Sequence, residues 1–252
     1  MRFERSTIGA VLGLALAVGV PASADDRALK GEIESRFQSA KLDRQSAVEI
    51  RVESGRATLT GAALTIHARR ELERQARKVV GTVDNQVRVL PEERSDRDIR
   101  KDVSNAILSY PHYTIFDSVE LGVADGVVVL RGSVLQPYRK NEIEQRIGKI
   151  AGVRAIHNEI AVQGVSINDA RLRREIARAI YDDPRFVQYR NRANPPIHIV
   201  VDHGKVRLTG YVASPVERAI IGHIVRSFPT FGVENLVRVD GEAPEEPVKD
   251  AS

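Results

Sequence analysis

The sequence predicts an α/β protein of the α+β kind, built as three tandem α-β-β-α-β units. Each unit is expected to form a small mixed three-stranded sheet with two helices on one face. Two observations carry this prediction. A Gly-to-Gly stretch recurs as GRATLTG, GVVVLRG and GKVRLTG at residues 55–61, 126–132 and 204–210. The hydrophobic pattern around each copy also changes between helical and strand periods in the same order. The predicted units are residues 25–92, 93–165 and 166–240.

Each unit begins with a predicted helix that carries a single apolar stripe. Apolar residues four positions apart mark this helix in every copy: Leu29, Ile33 and Phe37; Ile99, Val103 and Ile107; Leu172, Ile176 and Ile180. A single stripe indicates that the helix packs against one face of a sheet.

Two antiparallel strands are expected to follow the first helix. An alternating or apolar run precedes each opening glycine, at residues 48–52, 119–123 and 197–201. A period of two is typical of a half-buried strand, and a tight turn would connect it to the next strand. Glycine supplies the positive φ that such turns require. We therefore predict six structural turn glycines: Gly55, Gly61, Gly126, Gly132, Gly204 and Gly210.

A second helix and a third strand are expected to complete each unit. In the third unit the helix has a capping residue, Ser214, followed by Pro215 in its first turn and Glu217. An asparagine opens each predicted third strand, at residues 85–89, 158–162 and 235–239. The connection through the helix predicts that the second and third strands are parallel, with a right-handed crossover.

The two ends of the chain are predicted to lie outside the repeats. Arg2 and Arg5 precede an apolar run at residues 8–20, and Ala22-Ser23-Ala24 has the form that signal peptidase recognises. We expect a signal peptide at residues 1–24, cleaved after Ala24, and a periplasmic protein with no transmembrane span in the mature chain. An uncleaved amphipathic anchor is the alternative. Residues 241–252 are acidic and contain proline, which predicts a disordered tail.

The composition excludes several classes of function. The chain has no cysteine, so disulfides, thiolate metal sites and cysteine nucleophiles are ruled out. Its net charge of +4 gives no reason to expect nucleic acid. No nucleophile or phosphate-binding motif occurs, so we expect no enzymatic activity and no cofactor. His198, Asp202 and His203 could be considered for a metal site, but a solvated hairpin end is the favoured interpretation, and we predict no metal.

The repeated order of glycines, helix and asparagine resembles the BON domain. The second copy matches best, with residues 126–132 followed by Gly152, Val153, Ile156, Asn158, Ile160 and Val162. The resemblance covers nearly all of residues 26–240, and the chain is similar to exported triple-BON proteins such as osmotically inducible periplasmic proteins. The resemblance implies an α/β sandwich, an exported location, and a role in binding phospholipid or keeping the envelope intact under stress. It implies no catalytic residues.

An excess of positive charge lies in the third unit, which has 12 lysines and arginines against 8 acidic residues. Arg171, Arg174 and Arg178 lie opposite the apolar stripe of its first helix. Further arginines follow in a predicted loop beside Phe186 and Tyr189, and such arginine and aromatic side chains could bind an anionic head group. The candidate lipid-binding residues are therefore Arg171, Arg174, Arg178, Arg185, Arg190 and Arg192. The alternative is a solvated face whose arginine stems cover apolar surface.

Two functions remain open from the sequence. The first is an exported, non-enzymatic protein that binds an anionic phospholipid surface or an envelope protein peripherally and supports envelope integrity or stress tolerance. The second is a protein-interaction or chaperone-like adaptor in the periplasm that uses exposed sheet faces or edges. The sequence favours no particular oligomeric state.

Overall fold

A computed structural model describes residues 23–241. The predicted signal peptide before Ser23 and the predicted tail after Gly241 lie outside the described residues. Contacts group the described chain into two compact units, of which the first comprises residues 23–99, 123–128 and 147–156. The second comprises residues 100–122, 129–146 and 157–241, so the second repeat contributes segments to both units.

The first repeat contains two α-helices and four strands. In chain order these are α1 (Ala24–Ser39), β1 (Ser46–Glu53), β2 (Arg56–Ala63), α2 (Ile66–Ala76), β3 (Thr82–Asn85) and β4 (Arg88–Val89). β1 and β2 are antiparallel, whereas β3 and β4 both pair with β2 in parallel. Ile50 lies opposite Leu59 in the hairpin, and both share a core with Ile33 of α1 and Leu72 of α2. The two helices therefore cover one face of the sheet.

The second repeat has the same order of elements. It consists of α3 (Asp96–Leu108), β5 (Ser118–Ala124), β6 (Val127–Val134), α4 (Pro137–Ile147), β7 (Ala155–Asn158) and β8 (Ala161–Val162). Its strand order is β5-β6-β7, with β8 also pairing with β6.

The third repeat adds a short segment between its first helix and its hairpin. Its elements are α5 (Ile167–Tyr181), α6 (Val187–Arg190), β9 (Ile197–Asp202), β10 (Lys205–Val212), α7 (Pro215–Arg226), β11 (Gly232–Asn235) and β12 (Arg238–Val239). A 3₁₀ turn at Pro184–Phe186 precedes α6. The core joins Ile176 and Ile180 of α5 to Ile199 of β9 and Ile221 of α7. Full burial of each such side chain stabilises the fold by about 1.5–3 kcal/mol.

The predicted fold class is confirmed, because the chain forms three small mixed sheets in repeating units. The predicted third strand, however, is broken at its asparagine. Asn85 Oδ1 accepts the Val87 N–H at 3.2 Å, while the Gln86 N–H donates to the Leu59 carbonyl at 2.8 Å. This local side-chain bond competes with the ladder, so β3 ends at Asn85 and β4 begins at Arg88. Each sheet therefore has four strands rather than three.

The same asparagine also joins the sheet to the second helix of its repeat. Its Nδ2 donates to a helical carbonyl at 3.0–3.2 Å in every copy: Asn85 to Arg69, Asn158 to Lys140 and Asn235 to Arg218. The repeated asparagine thus both breaks the third strand and anchors a helix.

The hairpin turns contain two consecutive residues with positive φ. These pairs are Ser54 and Gly55, Asp125 and Gly126, and His203 and Gly204. Two positive φ values in a two-residue loop are typical of a type I′ turn, which glycine adopts without steric cost. Gly55, Gly126 and Gly204 therefore lie in turns.

An aspartate at the start of the first helix binds each of these turns. Asp169 accepts the N–H groups of His203 and Gly204 at 2.9 Å. Asp26 and Asp96 accept the corresponding pairs of N–H groups in the first and second repeats. We call these three residues the turn aspartates. They fix the end of each hairpin to the first helix of its repeat.

The prediction that Gly61, Gly132 and Gly210 are turn residues is wrong. All three lie inside the second strand of their hairpins. Each has a positive φ. A Cβ added to Gly61, Gly132 or Gly210 would overlap the carbonyl oxygen of Ala47, Ser118 or Pro196, respectively. The first two of these carbonyls lie in the first strand of the hairpin, and Pro196 immediately precedes that strand. Glycine is needed there because the backbones approach closely within the sheet, not because the chain turns.

Candidate functional site

The first helix of the third repeat, α5, exposes a row of arginines. Ser166 caps the helix by accepting the Asp169 N–H at 3.1 Å. Ile176 and Ile180 are fully buried on its inner face. Because a helix turns every 3.6 residues, the positions three and four apart on the opposite side face solvent. They carry what we call the arginine row: Arg171, Arg174 and Arg178.

In the arginine row, Arg174 and Arg178 are exposed and unpaired with acidic side chains of residues 23–241, whereas Arg171 has an acidic neighbour. Arg171 Nε donates to Glu175 Oε1 at 2.8 Å, although its side chain remains 74 % exposed. Within residues 23–241, no acidic side chain forms an ion pair with Arg174 or Arg178. The row can therefore bind an anion through at least two exposed guanidinium groups.

Arg173 has a different role that the sequence did not reveal. The residue is only 6 % exposed, and its Nη2 donates to the Val201 carbonyl at 3.1 Å. Burial lowers the pKa of Arg173, while the nearby carboxylates of Asp169 and Asp202 act in the opposite direction. Arg173 lies four residues after Asp169 and three before Ile176, which places it on the inner face of α5. Its burial could therefore have been predicted from the helical spacing.

The other three candidate arginines are engaged within the protein. Arg185 Nη2 lies 2.6 Å from Asp183 Oδ2, and this contact lowers the pKa of Asp183 to about 2. Arg190 Nη1 lies 3.1 Å from Asp182 Oδ1. The guanidinium of Arg192 lies 5.3 Å from the centre of the Tyr189 ring. The aspartates therefore balance the charges of Arg185 and Arg190, whereas Arg192 is held by an aromatic ring.

The aromatic residues beside them do not face a ligand. Phe186 is fully buried and Tyr189 is 2 % exposed, because both belong to the core of the third repeat. Tyr189 OH donates to Glu217 Oε2 at 2.7 Å and accepts the Ala213 N–H at the same distance. The expectation that these aromatics could join the arginines at a head group is therefore wrong. They attach the segment after α5 to the start of α7.

The structure brings together Arg178 and Arg190 at one shallow depression. Its volume is about 270 Å³, and it is lined by Ile115, Ala177, Arg178, Tyr181, Asp182, Arg190 and Pro195. Asp182 lies between the two arginines in sequence and pairs with Arg190. The depression thus joins Arg178 of the arginine row to Arg190, whose charge is paired with Asp182.

The histidines considered for a metal site do not converge. His198 Nδ1 lies 2.6 Å from the Asp117 carbonyl, so it carries the proton of that hydrogen bond, and burial lowers the pKa of His198. His203 is 84 % exposed and contacts Asp202 at 3.1 Å. In the part of the chain that the structure describes, no group of three histidines or carboxylates could hold a metal ion.

The fold and its surface define a class of α+β repeat protein with an exposed cationic helix face. The chain belongs to the BON domain family, whose model matches residues 25–91, 95–164 and 168–241. No helix between residues 23 and 241 combines the length and apolar character needed to cross a membrane. A comparison with curated proteins finds no match.

Two solved structures are distantly similar. One is the C-terminal domain of CdsD, a structural protein of the type III secretion system of Chlamydia trachomatis, at 15 % identity. The match covers 84 % of this chain and 96 % of that chain, with a TM-score of 0.25. The other is the periplasmic domain of the inner membrane protein PrgH from S. typhimurium, at 14 % identity, 81 % and 100 % coverage and a TM-score of 0.22.

Proposed function

We propose that this protein is an exported, non-enzymatic BON-repeat protein that binds anionic phospholipid of the cell envelope peripherally and supports envelope integrity under stress. The observation that carries the proposal is the arginine row of α5, in which Arg174 and Arg178 are exposed and have no acidic partner within residues 23–241. Membership of the BON family also supports a role at the cell envelope.

The strength of such binding follows from the number of cations. A basic residue close to an anionic membrane contributes on the order of 1 kcal/mol. Three arginines therefore contribute about 3 kcal/mol at most, or on the order of 100-fold in affinity, less the part that Glu175 neutralises at Arg171. The attachment is reversible, and salt weakens it because exposed charges are screened.

The proposed location is the periplasm. It is supported by the pattern of residues 1–24, in which basic residues precede a short apolar run and a small-x-small site. Cleavage after Ala24 would leave α1 starting at Asp25, and the turn aspartate Asp26 would remain in the mature chain.

Strand addition at a sheet edge, which the adaptor alternative uses, has less support. The outer edge of β9 is already engaged, because the Ile199 N–H donates to the Ile115 carbonyl at 2.7 Å. The opposite edges consist of short strands that are broken at an asparagine, as in β11 and β12. Short and interrupted edge strands disfavour the addition of another strand.

Vesicle flotation tests the proposed function. The chain from Asp25 onward would be mixed with vesicles of neutral or anionic phospholipid at low and at high salt. Omitting residues 1–24 prevents their apolar run from binding lipid by itself. We expect flotation with anionic vesicles only, reduced at high salt. No flotation under any condition, together with one abundant protein partner recovered by crosslinking in cells, would favour the adaptor instead.

A further inference from the structure

The three most exposed large apolar side chains of the described residues occur in the third repeat and the segment that leads into it. Val165 and Ile167 are 104 % and 88 % exposed, and Phe231 is 86 % exposed. Single exposed apolar residues are common on soluble proteins, but several at one place indicate an interaction site.

The segments that carry these three side chains converge on the turn between β9 and β10. The Gly164 N–H donates to Asp202 Oδ1 at 3.2 Å, which holds the chain next to Val165 against this turn. Phe231 donates its N–H to the Gly204 carbonyl at 2.9 Å. Its ring lies against Gly204, because a Cβ added there would be 2.6 Å from Phe231 Cδ2.

Ile167 is fixed to the same turn through the first turn of α5. The carboxylate of Asp169, two residues further on, accepts the N–H groups of His203 and Gly204 at 2.9 Å. We name Val165, Ile167 and Phe231 the apolar tip.

Positive charge begins directly behind the apolar tip. Ile167, Arg171 and Arg174 follow one another at helical spacing on the exposed side of α5. At about 1.5 Å per residue, Arg171 lies about 6 Å and Arg174 about 10 Å along the axis from Ile167. Lys205, which is exposed, follows the turn itself. Apolar side chains ahead of cations match the boundary of an anionic bilayer, where acyl chains lie below charged head groups.

The corresponding positions of the second repeat are polar. Counting from the turn aspartates and the strand asparagines, Val165, Ile167 and Phe231 correspond to Glu92, Arg94 and Arg154. These three residues line a depression of about 300 Å³ beside Asp125 and Gly126. The shared scaffold therefore does not require apolar residues at this end, and their presence in the third repeat calls for a separate cause.

We propose that the apolar tip enters the interface of an anionic bilayer while the arginine row binds the surrounding head groups. This inference rests on the proposed function and specifies how the third repeat docks. It also predicts that Arg171 and Arg174 contribute more to head-group binding than Arg178, because they lie closer to the apolar tip.

A tryptophan substitution tests insertion directly, since the chain contains no tryptophan. Phe231→Trp places a single fluorescent probe in the apolar tip, and Arg154→Trp places one at the corresponding position of the second repeat. With anionic vesicles that contain brominated lipid, we expect the emission of the Phe231→Trp protein to shift to the blue and to be quenched. We expect the emission of the Arg154→Trp protein to change little.

Loss of apolar surface supplies an independent readout. Phe231→Ser and Ile167→Ser should each weaken binding to anionic vesicles about 10-fold, because each removes a side chain of which a large part would leave water. Both residues are exposed, so the thermal unfolding midpoint should change little.

The outcomes separate this inference from the proposed function. Two results would overturn insertion of the apolar tip: salt-sensitive flotation of the Phe231→Trp protein without a shift in its emission, or equal emission shifts in both tryptophan variants. Either result would still be consistent with head-group binding by the arginine row. Absence of flotation would overturn both. A lipid-free shift of the Phe231→Trp protein that grows with protein concentration would identify a second copy of the chain as the occupant and would also overturn the inference.

Discussion

The first and third repeats share the same internal hydrogen bonds but differ in charge on the outer face of the first helix. In both, a turn aspartate binds two N–H groups of the hairpin, and a strand glycine lets the two strands approach closely. On the outer side of the first helix, however, the positions of Arg171, Arg174 and Arg178 are occupied in α1 by Ala28, Gly31 and Ser35.

This difference shows which parts of the unit are fixed by folding. The bonds between turn, helix and sheet involve buried or closely packed groups, so each repeat needs them to hold its small core. The outer face of the first helix makes no such contacts and can vary in charge without disturbing the core. A function can therefore reside in one repeat while the others retain only the scaffold.

The largest expected effect comes from the strand glycines and should be equal in the two repeats. Gly210→Ala and Gly61→Ala each place a Cβ in overlap with a backbone carbonyl oxygen at a positive φ. We expect each to cost about 3 kcal/mol or more, enough to unfold its repeat. Thermal unfolding followed by circular dichroism measures this.

Gly232→Ala is the matched control for the strand glycines, because nothing lies within 4 Å of the Cβ that it adds. It should change stability by less than about 0.5 kcal/mol. A Gly210→Ala protein as stable as this control would show that the close approach within the hairpin does not constrain the fold.

A smaller effect is expected at the turn aspartates. Asp169→Ala removes the carboxylate that accepts the N–H groups of His203 and Gly204, and should cost about 2–3 kcal/mol. Asp169→Asn retains one acceptor oxygen and should fall between wild type and Asp169→Ala in urea unfolding. Equal stability of all three proteins would contradict the assigned role of the turn aspartate.

The smallest expected effect is a pH dependence of the stability of the first repeat, caused by Asp26. The hydrogen bond from the Gly55 N–H, with help from Ser23 and Ser54, lowers the pKa of Asp26. Because the folded pKa lies below the ordinary value of about 3.9, this contribution is complete above that value and is lost as the pH falls through the folded pKa. Wild type and Asp26→Asn should therefore differ most in unfolding midpoint near neutral pH, and the difference should shrink as the pH falls through the lowered pKa of Asp26. A constant difference across the whole acid range would show that the charge of Asp26 does not matter.

Much of the fold could be predicted from the sequence because its signals are local and repeated. The period of each segment indicated the helices and strands, and the length of each connection indicated antiparallel and parallel pairing. The glycines that open the repeated stretches were placed in turns correctly. Gly61 and its equivalents were misplaced, since the backbone approach that requires them depends on the partner strand.

Other features of the fold and of the candidate site depend on contacts between side chains, which the hydrophobic pattern of the sequence does not indicate. The turn aspartates recur seven residues before Ile33, Val103 and Ile176, but the residues that they bind belong to a distant hairpin. Phe186 and Tyr189 lie in a segment without helical or strand periodicity, so their burial was not predictable. The outward direction of the arginine row followed from spacing, whereas the engagement of Arg185 and Arg190 by acidic neighbours did not.

A comparison of two charge reversals tests most directly whether membrane binding resides in the third repeat. One variant carries Arg171→Glu, Arg174→Glu and Arg178→Glu on α5, and the other carries Arg27→Glu, Lys30→Glu and Arg36→Glu on α1. Both change the net charge equally, and flotation with anionic vesicles measures their binding. We predict that the α5 variant loses on the order of 100-fold in affinity, while the α1 variant stays within about 3-fold of wild type. Equal losses, or unchanged binding of the α5 variant, would contradict the assignment of the arginine row.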